Sequence, residues 1–354
     1  MKTLSKLTAL AMAAAMALSL TACTVGGDTG GPTQTSPSPS QSGGTQGNSP
    51  APSASRPAED ASYLVGICQL APHDALDAAT QGFKDALTEE LGDQVKFSEG
   101  NAGGDSNNCI TIIDGFLSED VDLILANATA SLTAAASATD TVPILGTAIT
   151  NYGVALNLDS TEDGVLGGNI SGTSDLAPLD QQAELLQELF PAADYPSVGL
   201  LYCSADPNSI FQVETIQGYL EEIGYTCAQY AFTDVNDLAS VTQTACDSSD
   251  VIYIPTDNTA ANNTETIANV VIPAGVPVVA GESGICSGCG VATLSIDYYE
   301  LGEITGNMAA RILTGEESVS EMAIAYDTTL TKLYNPANCE ALGITVPEDY
   351  EPLA

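Results

Sequence analysis

The feature that most restricts the fold of this chain is a regular alternation of short apolar runs and helix-periodic segments. The segment 74–91 repeats Leu76 and Phe83 at helical spacing and follows a strand-like run at 63–67. Further strand-like runs occupy residues 122–126, 142–146, 198–202, 226–230, 251–254 and 276–280. Because the pattern starts again after Asp175, the sequence predicts an α/β protein with two doubly wound parallel-sheet lobes.

The loops that follow the strands of such lobes predict where a ligand binds. In open parallel sheets, ligands occupy the crevice outside the carboxyl ends of the strands. If the two sheets face each other through those ends, a ligand lies between the lobes, and the N–H groups at helix starts point at it.

The amino terminus predicts a lipoprotein signal peptide over residues 1–22. Lys2 and Lys6 precede an apolar run at 7–20 that is too short to span a membrane. The run ends in the letters LTAC, which resemble the lipobox of bacterial lipoproteins. That resemblance implies cleavage before Cys23 and attachment of lipid, such as palmitate-bearing diacylglycerol, to its thiol.

Residues 23–61 are rich in Gly, Ser, Pro and Thr and contain almost nothing apolar to bury. Without burial to offset the entropy of ordering, this segment is expected to be a disordered linker. We therefore expect the folded part to be held, through lipid on Cys23, at the cell surface or the extracytoplasmic face of the cytoplasmic membrane.

The charge of the chain restricts its partners. The formal net charge is −39, and of the seven Lys and Arg residues only Lys84, Lys96, Arg311 and Lys332 follow the linker. Such a surface repels phosphate backbones and anionic headgroups, so nucleic acid is excluded as a partner. The scarcity of cations also disfavours polyanionic ligands.

Eight of the nine cysteines remain after Cys23, an even number in an exported chain, where disulfides can form. The candidate pairs, whose connectivity the sequence leaves open, are Cys286 with Cys289, Cys68 with Cys109, and Cys227 with Cys246. The CxxC at Cys286 lies in a Gly-rich stretch that predicts a loop, which favours a structural disulfide or free thiols over redox catalysis. With no second CxxC and a single histidine, no metal or cofactor is expected.

Five stretches give the folded part its resemblance to a known family. They are residues 69–83, with HDALDAA at their centre, 122–126 (DLILA), 172–175 (GTSD), 253–259 (YIPTDNT) and 296–302 (IDYYELG). In this order they resemble the type I periplasmic-binding-protein-like lipoproteins of ABC importers for tryptophan and tyrosine. The sequence departs from the family pattern at Gly281-Glu282-Ser283, a loop expected to face the cleft.

The resemblance implies a three-stranded hinge, with crossings near 171–175, 293–297 and 326–333. One lobe would then comprise residues 62–172 with 296–325, and the other 173–295 with 326–354. It also implies a monomeric solute-binding protein, rather than an enzyme, that captures a small zwitterion, in particular an aromatic amino acid, for an ABC permease and its ATPase.

An amino-acid zwitterion needs a carboxylate for its ammonium and hydrogen-bond donors for its carboxylate. Hydroxyl and amide groups after predicted strands supply the donors, and the ammonium partner is sought among Asp175, Asp257 and Asp297. Each aspartate has an alternative role as a helix cap. The full set of predicted ligand-binding residues is Gln69, His73, Asn127, Thr129, Ser131, Thr147, Thr150, Ser174, Asp175, Asp257, Asn258, Thr259, Glu282 and Asp297.

The residues alone leave other functions open. The same fold binds other amino acids, nucleosides or sugars, although the absence of Trp and the scarcity of Phe disfavour sugar stacking. A ligand sensor without transport is a second alternative. A surface enzyme is disfavoured, because His73 has no nucleophile elbow or second histidine beside it.

Overall fold

Strands and helices alternate throughout the part of the chain that the computed structural model describes, residues 62–158 and 164–353. The strands are β1 (Tyr63–Gln69), β2 (Val95–Asn101), β3 (Leu123–Asn127), β4 (Ile144–Ile149), β5 (Ile170–Ser174), β6 (Ser197–Cys203), β7 (Thr226–Phe232), β8 (Val251–Ile254), β9 (Val278–Ala280), β10 (Ala292–Ser295), β11 (Ala325–Tyr326), β12 (Thr331–Tyr334) and β13 (Glu351–Pro352). The α-helices are α1 (Asp74–Leu91), α2 (Ser106–Ser118), α3 (Thr129–Ala138), α4 (Tyr152–Leu156), α5 (Leu179–Leu189), α6 (Pro207–Glu222), α7 (Val235–Cys246), α8 (Asn258–Ala261), α9 (Thr264–Ala274), α10 (Ser283–Gly288), α11 (Tyr298–Thr314) and α12 (Pro336–Leu342). The predicted signal peptide, Cys23 and the linker lie outside the described residues.

The strands form two sheets. The first has the order β11-β5-β4-β3-β1-β2, and every neighbouring pair in it is parallel. The second has the order β13-β12-β10-β9-β8-β6-β7 and is parallel except that β12 runs antiparallel to β10. The predicted class of two doubly wound parallel-sheet lobes is confirmed, with β12 as a local exception.

Helices cover both faces of the first sheet, as the continuous apolar runs of its strands require. Leu123 and Leu125 of β3 pack with Phe83 of α1, whereas Ile124 packs on the opposite face with Ile113 of α2. Because side chains alternate across a strand, a continuous apolar run buries both faces at once.

The chain passes between the two sheets three times. It leaves the first sheet after β5, returns from β10 into α11, and passes again between β11 and β12. Helix α11 packs closely on α1, where Gly82 and Gly302 allow the two backbones to touch. The connections between the lobes therefore lie beside one tightly packed helix pair.

Among residues 62–158 and 164–353, no helix is both long and apolar enough to cross a membrane.

Candidate functional site

A cavity of about 490 Å³ lies between the two lobes. The first lobe contributes Leu70 after β1 and Thr129 and Ala130 at the start of α3. The second contributes Asp206 after β6 and Asn258 after β8. Because these residues follow the carboxyl ends of their strands, the cavity occupies the crevice where the fold places ligands.

Two hydrogen bonds join the lobes at the cavity. The Asn208 amide Nδ2 of α6 donates to Thr129 Oγ1, and His73 Nε2 lies 3.1 Å from Asn258 Oδ1. Burial lowers the pKa of His73, although the hydrogen bond to Asn258 opposes the shift. The two bonds hold the lobes close together on either side of the crevice.

Four predicted residues of the first lobe, Gln69, Asn127, Ser131 and Thr147, are bonded mainly within that lobe. The side chains of Gln69 and Asn127 both bond to Thr80 of α1. Ser131 lies 3.5 Å from the Cys109 thiol, and Thr147 bonds to Thr173 and Thr305. These side chains hold the strand ends and the start of α3 in place, and the structure does not bring them to the cavity wall.

A hydrogen-bonded group lies at the first crossing between the lobes. Ser174 Oγ donates to the Thr150 carbonyl, and Tyr298 OH donates to Asp175 Oδ2 at 3.0 Å. Asp175 Oδ1 is buried with no partner among the described residues. Burial raises the pKa of Asp175 to about 6, although hydrogen bonds from Thr150 and Tyr298 oppose the shift.

Three other predicted acids serve as helix caps. Both oxygens of Asp257 accept backbone N–H groups, from Thr259 and Ala260 at one oxygen and from Cys203 at the other. Glu282 caps α10, so the stretch predicted as a Gly-rich loop is a short helix. Asp297 caps α11 on the exposed surface, away from the cavity.

Three of the predicted ligand-binding residues line the cavity, namely Thr129, Asn258 and Thr259. Polar residues that the sequence did not single out also line it, namely Ser106, Asn107, Thr133, Ser137 and Asp206, and Asn208 lies beside it. The sequence does contain a pattern that could have indicated Asp206 and Asn208. The letters Asp206-Pro207-Asn208 follow a strand and have the form of a helix N-cap with proline in the first turn.

The predicted disulfides are not formed, since all eight cysteines in the described residues are free thiols. Cys227 and Cys246 pack in cores on opposite faces of the second sheet, which keeps them apart. Cys289 Sγ instead donates to the Ile285 carbonyl, and Cys286 lies within α10. Cys68 and Cys109 are neighbours in one core and interact as thiols beside Ser131.

The cleft is acidic and has no cation of its own. Of the four Lys and Arg in the described residues, Lys84, Arg311 and Lys332 pair with surface carboxylates, and Lys96 is exposed. None of them lines the cavity. Within residues 62–158 and 164–353, no Lys or Arg therefore neutralises the Asp206 carboxylate at the cavity wall.

Comparison with known proteins identifies the family. Residues 64–353 match the family described as ABC transporter substrate binding protein. The chain is 33% identical over 263 residues to a tyrosine-binding protein of Clostridioides difficile strain R20291, covering 73% of this chain and 75% of that one.

Two solved structures show the same fold. A Streptococcus pneumoniae ABC domain in complex with L-Trp is 31% identical, with a TM-score of 0.77, over 81% of this chain and 97% of that one. A ligand-free, open substrate-binding protein from Clostridium difficile is 33% identical, with a TM-score of 0.64, over 82% of this chain and 99% of that one. This chain belongs to the ABC transporter substrate-binding protein family, whose members bind solutes outside the cytoplasm.

Proposed function

We propose that this protein captures an aromatic amino acid between its lobes and presents it to the permease and ATPase of an ABC importer. The observation that carries the proposal is the lining of the interlobe cavity. It contains one carboxylate, no cation and largely apolar side chains such as Ile110, Ala134 and Val154. A neutral zwitterion with an apolar side chain complements such a surface better than an anion or a sugar does.

The start of α3 is suited to the carboxylate of this ligand. The residue before the helix is Ala128, at φ 79°, and no side chain caps the first turn. The first N–H groups of a helix have no partners within it and favour negative charge. Because Thr129 and Ala130 border the cavity, these donors compensate for the missing cation.

The comparisons support both the ligand class and a closing motion. One relative is a tyrosine-binding protein, and one structural neighbour holds L-Trp. The TM-score to the L-Trp complex, 0.77, exceeds the 0.64 to the ligand-free open structure. Together with the hydrogen bonds across the cleft, this favours a closed arrangement of lobes that opens by hinge bending to release solute.

Identification of the natural solute tests the proposal. The protein is purified under native conditions from cells grown in rich medium, then denatured, and the released small molecules are identified by mass spectrometry. We expect tryptophan or tyrosine at close to one molecule per chain. Recovery of a nucleoside, a sugar or an aliphatic amino acid instead would keep the fold and refute the aromatic assignment.

We further propose that the mature protein begins at Cys23 and is anchored through lipid on that residue. The motif LTAC after a short apolar run supports the anchor, and the linker up to residue 61 supports a reach away from the membrane.

Replacement of Cys23 by Ala should move the protein from the membrane fraction to the soluble fraction or the medium. The expected change is nearly complete, because no other lipid attachment motif precedes the folded part. Immunoblots of fractionated cells measure it, with Cys68→Ala as a matched control that should stay at the membrane. Equal membrane retention of both variants contradicts the anchor.

A further inference from the structure

Asp206 borders the cavity between the lobes, unlike the other acids buried near it. It is the single carboxylate among the residues that line the cavity, whereas Asp175, Asp257 and Glu282 do not border it. Asp257 and Glu282 also use their oxygens to accept backbone N–H groups. Of these acids, Asp206 is the one that borders the cavity directly.

Asp206 is not fully used by the protein. Its Oδ1 accepts the Asn208 N–H at 3.0 Å, as an N-cap of α6, and no hydrogen bond from the backbone of the described residues reaches its second oxygen. Burial and the nearby Asp257 raise the pKa of Asp206 to about 7, although hydrogen bonds from the Asn208 backbone and the Asn258 side chain oppose the shift. Both opposing groups are neutral, so an ammonium group beside Asp206 would supply a positive charge that they do not.

Asn208, two residues further along in the first turn of α6, provides a second acceptor beside the cavity wall. Its side chain is 2% exposed, and its amide nitrogen is committed to Thr129 across the cleft. The other amide atom, Oδ1, is buried with no partner among the described residues. A buried acceptor without a donor is costly unless a ligand supplies one.

On the first-lobe side of the cavity, apolar side chains are partly uncovered and lie among polar ones such as Thr133. Ile110 is 53% exposed and Val154 is 37% exposed, and both line the cavity together with Ala134 of α3. A solute with an ammonium group at one end and an aromatic ring at the other would cover this surface and satisfy both acceptors.

We propose that the carboxylate of Asp206 and the side-chain oxygen of Asn208 together bind the α-ammonium group of the solute. This assignment rests on the proposed capture of an aromatic amino acid and adds which residues recognise its positive end. Since the α3 start faces the same cavity from the first lobe, the two charges of one zwitterion contact both lobes. Binding of the solute thus favours closure.

The test compares Asp206→Asn with Asp234→Asn. Asn caps a helix about as well as Asp does, so both variants keep their caps. Asp234 caps α7 of the same lobe through the same contact, with the N–H two residues on, but does not line the cavity. Affinities for L-tryptophan and for indole-3-propionate, which lacks the ammonium, are measured by calorimetry.

We expect Asp206→Asn to raise the Kd for L-tryptophan about 30-fold or more, since breaking a buried charge pair is costly. Asp234→Asn should change that Kd less than about twofold, because a solvent-exposed acid outside the site contributes little. The Kd of Asp206→Asn for indole-3-propionate should not rise, because that probe has no positive charge to lose.

Two results overturn the assignment and leave the proposed function intact. One is equal tryptophan affinity of the wild type and Asp206→Asn, and the other is a loss that appears with Asp175→Asn and not with Asp206→Asn. A wild-type protein that binds no aromatic amino acid overturns the proposed function, and the assignment with it.

Discussion

Replacement of Gly302 by Ala should destabilise the folded part by about 3 kcal/mol, the upper range for overpacking in a closed core. A Cβ atom at Gly302 would meet the Ala79 carbonyl oxygen and would lie 2.9 Å from the backbone nitrogen of Phe83. Both atoms belong to the backbone of α1, which cannot move aside as a flexible side chain does. Urea denaturation followed by far-ultraviolet circular dichroism measures the change.

Gly218 offers the matched control for this substitution. It also lies within a helix, α6, but a Cβ atom there would meet nothing within 4 Å. Gly218→Ala should raise the free energy of unfolding by about 0.5–1 kcal/mol through helix propensity. Equal midpoints of urea unfolding for the two variants would contradict the close backbone contact between α1 and α11.

This contact bears on function because of where α11 begins. Its first residue, Tyr298, follows the second crossing between the lobes and donates to Asp175 at the first crossing. A rigid α1–α11 pair therefore gives the hinge a fixed base in the first lobe. In the closure that we propose, the second lobe would move on this base as a unit.

The sequence predicted most elements of both sheets because buried parallel strands need continuous apolar runs. The run at β3 is buried on both faces, and its residues alternate between two cores. Helix α9 was not predicted, because its Val270, Val271 and Ile272 favour strands locally and Pro273 lies in its last turn. Packing of Ile267 and Val271 against the second sheet overrides that preference.

The site was harder to predict than the fold, because a binding acid and a capping acid share one pattern. Asp257 stands after a strand and before a helix, as a cleft residue would, yet both of its oxygens are used inside the second lobe. Only the positions of the backbone N–H groups separate the two roles, and a sequence does not contain them.

Asp206, to which we assign the ammonium group, was not among the predicted residues for a different reason. The cavity that it lines is assembled from two lobes, and Thr129 and Asn208, which bond across it, are 79 residues apart. No local pattern relates such positions. The resemblance to a family could indicate the order of the elements but not which acid lies opposite the start of α3.

Titration of the ligand-free protein with L-tryptophan tests the central claim most directly. The chain has no Trp and 13 Tyr, so tryptophan emission comes from the ligand alone and the protein supplies energy donors. N-acetyl-L-tryptophan, which lacks the ammonium group, is the matched control. The same emission is recorded with excitation of the ligand and with excitation of tyrosine.

Enclosure against Ile110, Ala134 and Val154 should shift the tryptophan emission to shorter wavelength, because the ring leaves water for an apolar wall. Excitation of tyrosine should then produce tryptophan emission that saturates at one ligand per chain, and the acetylated control should give these signals only at much higher concentration. An emission spectrum that stays unchanged at millimolar tryptophan, while another class of solute binds the same preparation at micromolar concentration, would contradict the account.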